Sequence, residues 1–149
     1  MADHVRKQIR AAIRAALLNN TAAADLVNYA GGAPTPLDDL PAILIYTLDE
    51  GNDIGGATMG LSRTYARELD ALIEIQDSGD DVQDRLDAIA VQVEARMGVD
   101  RTFGGLVKDS FLLSSTASLG AEANEFIGTL GLLYRLEYRT AEGDPITAT

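Results

Sequence analysis

Residues 68–98 read ELDALIEIQDSGDDVQDRLDAIAVQVEARMG, and within this one stretch the apolar period changes. Leu69, Ala71, Ile73 and Ile75 alternate with Glu68, Asp70, Glu74 and Gln76, a two-residue period that puts the first set on one face of a strand. Leu72 is the apolar exception on the other face. After Ser78-Gly79-Asp80-Asp81 the period lengthens. Val82, Leu86, Ile89, Ala90, Val93 and Met97 then share one side of a helix. Asp80 and Gln83 have the spacing of a capping box, Asp81 and Asp84 suit the positive end of the helix dipole, and Gly98 ends the last turn. A half-apolar strand running into an amphipathic helix predicts a sheet with helices on one face.

The flanking sequence extends this pattern. Upstream, Met1 to Asn20 predicts a basic amphipathic helix capped by Asp3, with Val5, Ile9, Ala12, Ile13, Ala16 and Leu17 on one face and Lys7, Arg10 and Arg14 opposite. A second helical piece is expected over Ala22 to Ala30, stopped by Gly31-Gly32, and the proline-rich segment to Pro41 reads as a loop. Ala42 to Thr47 (AILIYT) is apolar on both faces, as in a covered central strand. Asp49 to Gly60 (DEGNDIGGATMG) reads as a mobile, glycine-rich hairpin loop.

Downstream, strands are expected through Leu106 to Thr116 and Thr129 to Arg139. The expected fold is thus α+β: a two-layer sandwich whose four-stranded, mainly antiparallel sheet carries helices on one face, in the order α-β-β-α-β-β. One domain spans 1–140, and 141–149 is a flexible C-terminal tail. The candidate protein interface combines Asp49, Glu50, Asn52 and Asp53 of the loop with Leu72 and Leu133 of the open sheet face.

Composition narrows the chemistry. The 149 residues carry a net charge of −11 and no cysteine. That excludes disulfides, cysteine-ligated metal and a thiol nucleophile. The only histidine, His4, lies near the terminus, so neither a Ser-His-Asp arrangement nor an ordinary zinc site is readily built. The Asp49–Gly60 loop fails the EF-hand spacing at Gly51 and Ile54, and it lacks the Gly-Lys-Ser/Thr of a phosphate loop. No catalytic, cofactor-binding or metal-ligating residue is assigned, and no cofactor is expected. No apolar run approaches the ~20 residues of a membrane span. The acidic charge is concentrated between Asp38 and Asp100, a surface that repels phosphate and disfavours specific DNA binding.

Several segments together carry a resemblance: the N-terminal helix, the Pro-rich loop into Leu40-Pro41-Ala42-Ile43-Leu44-Ile45-Tyr46, then Arg63 and Arg67 before Leu72-Ile73-Glu74-Ile75. Gly104-Gly105-Leu106-Val107 and Leu132 to Tyr138 complete it. In element order over residues 3 to 140, the chain resembles the tail terminator proteins of long-tailed bacteriophages, the group that includes minor tail protein U of phage lambda. The resemblance implies a non-enzymatic virion protein, assembled in the host bacterial cytoplasm. Its subunits close into a hexameric ring that caps the tail tube, stops its polymerisation and offers a surface to a head-side neck protein. DNA would pass through the lumen without specific binding, which suits the acidic charge. Two other readings stay open: a different neck component, such as a head–tail connector or tail completion protein, and an α+β ligand-binding domain or enzyme.

Overall fold

The computed structural model describes residues 2–18, 27–28, 41–53, 63–122 and 125–149. Helix α1 is Val5–Leu18 and α2 is Val82–Met97. The strands are β1 Val27–Asn28, β2 Ala42–Asp53, β3 Thr64–Ser78, β4 Asp109–Glu122 and β5 Glu125–Ala141. They form one sheet in the order β1-β2-β3-β5-β4. β2, β3, β5 and β4 are antiparallel neighbours, and the two-residue β1 adds parallel to β2 through Val27↔Ile43 and Asn28↔Leu44. The architecture is the expected α+β sandwich, with the helices on one side of the sheet.

The alternation of β3 sets the two faces. Leu69, Ala71, Ile73 and Ile75 are fully buried, and their register partners on β5, Leu136, Tyr134, Leu132 and Leu130, are buried beside them. Val5, Ile9, Ile13 and Leu17 of α1 and Val82, Leu86, Ala90, Val93 and Met97 of α2 close over that face to form one core. Spacing of four residues on α1, and of three or four on α2, produces this stripe because 3.6 residues per turn brings those positions to one side. At Gly128 the packing is closest: a Cβ there would lie 2.7 Å from Val82 Cγ2 and 2.8 Å from Leu86 Cδ1. A residue without a side chain lets α2 approach the β5 backbone.

The structure departs from the sequence expectations at several points. Val27–Asn28 is strand, not helix, because the exposed edge of Ile43–Leu44 offers it ladder hydrogen bonds; the rest of the 22–30 segment lies outside the described residues. β2 runs on through Asp49, Glu50, Gly51, Asn52 and Asp53, paired with β3 as far as Asp53↔Ala66 after a bulge between Thr47 and Glu50. Residues 49–53 of the expected loop are therefore strand, and its remaining residues, 54–60, lie outside the described residues. β4 starts at Asp109 rather than Leu106, since Phe103, Gly104 and Gly105 adopt positive φ in a turn. Asp100 organises that turn, accepting hydrogen bonds from Thr102 N and Oγ1 and Gly104 N. Those bonds, the Thr102 hydroxyl first, lower the Asp100 pKa.

Caps also differ. α1 is capped by His4 rather than Asp3: Arg6 N–H donates to His4 Nδ1 at 3.1 Å, while Asp3 pairs with Lys7 at 2.9 Å. Asp81 precedes α2 without a side-chain cap hydrogen bond. The chain end, expected as a free tail, is tied to the body: Pro145 O accepts from Val5 N–H, Ile146 O from Gln8 Nε2, and Arg139 O from Thr149 N–H. Val5 is among the α1 residues whose N–H has no partner within its own helix, which explains why the returning chain docks there.

Candidate protein-interaction surfaces

The far end of β2 is held from inside. Glu50 pairs with Leu69 and so points to the helix side, where its carboxylate accepts a hydrogen bond from the Tyr138 hydroxyl and lies 3.4 Å from Arg67 Nη1. Arg67 in turn lies over the rings of Tyr65 and Tyr138, with centroids 5.8 and 6.0 Å away. Burial, then the hydrogen bond to Glu50, pushes the Tyr138 hydroxyl up from its ordinary value. These contacts occupy Glu50 structurally. Asp49 lies in the bulge, and Asn52 and Asp53 sit opposite Arg67 and Ala66. The structure thus strings Asp49 to Asp53 along one strand end.

The open face brings the other two sequence candidates together. Leu72 and Leu133 are direct register partners, Tyr46 lies opposite Leu72 on its other side, and all three are half-buried. Leu72 also covers Gly131, where a Cβ would lie 3.0 Å from Leu72 Cδ1. One register step on, Arg135 Nε donates to Asp70 Oδ1 at 3.0 Å, and Arg135 lies 3.8 Å from Glu68. A short apolar row bordered by cross-strand ion pairs is a surface that can meet a protein, with specificity from charge.

The most exposed apolar surface was not among the sequence candidates. Every residue from Phe111 to Ala121 on the edge strand β4 is exposed, among them Phe111, Leu112, Leu113 and Leu119, and Phe126 of β5 is exposed beside them. α1 packs on β2 and α2 on β3 and β5, while beside β4 the start of α2 leaves open grooves at Ala117 and Leu119. From Ser110 to Ala121 no residue is charged and none is proline. Edge strands usually carry lysine, proline or short length to prevent pairing with other chains; here a bulge between Leu112 and Ser114 is the one such device. Sequence held a signal for it in the Phe111-Leu112-Leu113 run within that uncharged stretch.

Among the described residues no group of three or more His, Asp or Glu is placed to hold a metal ion. Among the described residues no helix is long and apolar enough to cross a membrane. Asp77, buried at 2% exposure, is an inward-facing carboxylate, and Arg85 Nε pairs with it at 2.9 Å, a bridge from β3 to α2. Burial likewise pushes the Tyr134 hydroxyl up to about 12, with Glu94 adding to the shift.

Fold and surfaces together define an α+β sandwich whose β4 edge is exposed. No protein-family model matches the sequence, and no curated protein matches it. Among solved structures, the chain is similar to one from the "Virion of native gene transfer agent (GTA) particle", at 16% identity and a TM-score of 0.34, covering 90% of this chain and 92% of that chain. A likeness of that degree defines no family.

Proposed function

We propose that the protein is a structural component of a bacteriophage virion, a tail terminator whose subunits form a ring, hexameric as in the family it resembles, on the head-proximal end of the tail tube. In this role it stops tube polymerisation and presents a surface to a head-side neck protein, while DNA passes through the lumen unbound. The observation that carries the reading is the edge strand β4, long, uncharged and exposed along Phe111 to Ala121. Such an edge has use only where another chain covers it. The element order shared with tail terminators supports the same reading. So does the excess of acidic residues, which lets a ring surround DNA without adhering to it.

Mixing the purified protein with polymerising tail tube protein from the same genome tests this. Tubes capped at one end and arrested in length, seen by electron microscopy, are the expected result. Tubes that grow to the same length with or without the protein, and carry no cap, would overturn the terminator reading.

A further inference from the structure

Two grooves of opposite charge lie far apart on the helix side of the sheet. The first, about 270 Å³, has an apolar floor of Leu119 and Phe126, 51% and 56% exposed, and a rim of Asp80, Asp81 and Asp84. Arg85, the nearby cation, is turned to Asp77. The second is formed by the first turns of α1 against β2: His4, Arg6, Lys7 and Arg10 surround Leu48, itself 49% exposed. Within that groove Arg10 donates to Thr47 Oγ1 at 2.7 Å, and Asp3 pairs with Lys7 at the surface, an exposed contact of little strength.

The register separates the two. Leu48 follows Thr47, which aligns with Ala71 on β3, while Phe126 neighbours Ile127, which aligns with Ser78. Seven residues along β3 span about 23 Å, and strands β2 and β4 are three strand spacings, about 14 Å, apart. One subunit cannot bring its own grooves together.

We infer that the occupant of the Leu119–Phe126 groove is a second copy of this chain, which inserts the basic first turns of its α1 and Leu48. The groove calls for a partner with an apolar centre and a positive rim, and the chain itself carries such a surface, at a non-overlapping place. Each copy can therefore give and receive at once. The contact is head-to-tail, so it propagates into a ring where the rotation closes and into an open chain where it does not. This deepens the ring reading above and rests on it only for closure. It also explains how copies carrying −11 each can associate: the contact joins a local cationic surface to a local anionic one.

Two variants test it by sedimentation velocity, alone and mixed. Leu119→Ser/Phe126→Ser removes the groove floor, and Arg6→Glu/Lys7→Glu reverses the helix; all four residues are exposed, and circular dichroism checks that each variant is folded. Wild type is expected to self-associate, less so as salt rises. Each variant alone is expected to associate at least about tenfold more weakly. The equimolar mixture is expected to form a one-to-one dimer that grows no further, because only one intact groove and one intact helix remain per pair. A wild type that stays monomeric, a single variant that associates like wild type, or a mixture that remains monomeric would each overturn the inference. Those results leave the tube-capping assay to decide the terminator reading on its own. Open chains in place of closed rings would keep the inference and remove the ring.

Discussion

β3 and β4 run in the same direction in one sheet, each hydrogen-bonded to β5, yet they solve different problems. β3 has a strand on both sides and helices over one face, so every second residue from Leu69 to Asp77 is buried. β4 has one neighbour, the start of α2 borders it across open grooves at Ala117 and Leu119, and from Phe111 to Ala121 no residue is buried. Backbone pairing alone therefore builds a strand, while burial depends on what covers it. Apolar residues on β3 contribute to folding. Those on β4 contribute little to the isolated subunit, and an exposed apolar row of this kind is what the proposed assembly contact would cover.

The largest expected effect falls on the covered side. Leu86, 2% exposed, reaches over β5 beside Gly128, and Leu86→Ala is expected to cost about 2–5 kcal/mol through lost burial and the cavity left behind. Chemical denaturation of the monomer measures it. A loss below about 1 kcal/mol would mean that α2 does not hold the sheet as described, and the contrast with β4 would fail. Next comes Gly128→Ala on the same contact. Its new Cβ meets Val82 and Leu86 at under 3 Å, so an overpacking loss of about 1–3 kcal/mol is expected. A neutral or stabilising result would show that α2 can lift away without cost.

The covered half was largely legible in the sequence, and for a physical reason. Leu69 to Ile75, Val82 to Met97 and Val5 to Leu17 announce their faces by period, which needs no knowledge of distant residues. What escaped depended on partners remote in sequence. Asp49 to Asp53 has turn composition, but it continues β2 because β3 pairs with it and because Arg67 and Tyr138 hold Glu50. The chain end has no apolar pattern, yet the unpaired N–H of Val5 gives it a place to dock. The sequence predicts the fourth strand only to Thr116, because Ser118, Gly120 and Ala121 carry little strand signal; pairing with β5 extends it to Glu122. Leu72 and Leu133 lie side by side as register partners on the face away from the helices, which alternation alone implies.

A smaller effect concerns the helix that covers β2. His4 caps α1 by accepting a hydrogen bond from Arg6 N–H, which needs a neutral ring. Burial first, then the Arg6 charge, lowers its pKa below the ordinary 6.5, with Arg67 acting the same way and Glu50 opposing. A lowered folded-state pKa means that the unfolded chain binds the proton more readily. The contribution of His4 is therefore complete above pH 6.5 and is lost as pH falls through the folded value. His4→Ala is expected to cost about 0.5–1 kcal/mol at neutral pH, and less in acid. Denaturation of both proteins across pH 7.5 to 5, a range of about one His titration, checks the sign. A gap that widens in acid would show that His4 is not a neutral cap.

The smallest effect tests the bare edge itself. Leu113 lies at the β4 bulge and is 40% exposed, and Thr keeps its β-branched strand preference, so Leu113→Thr should move subunit stability by no more than about 0.5 kcal/mol. On β3 a comparable loss of apolar volume would cost several times that. If the edge exists for assembly, the same substitution weakens capping of tail tubes, where the leucine would be covered, while the melting curve of the free subunit stays unchanged. Hydrogen exchange separates the two states further. Amides on the outer side of β4 should exchange quickly in the free subunit and slow down in the capped tube, whereas those of β3 should be slow in both. A large stability loss from Leu113→Thr would place β4 in the folding core and erase the distinction between the strands.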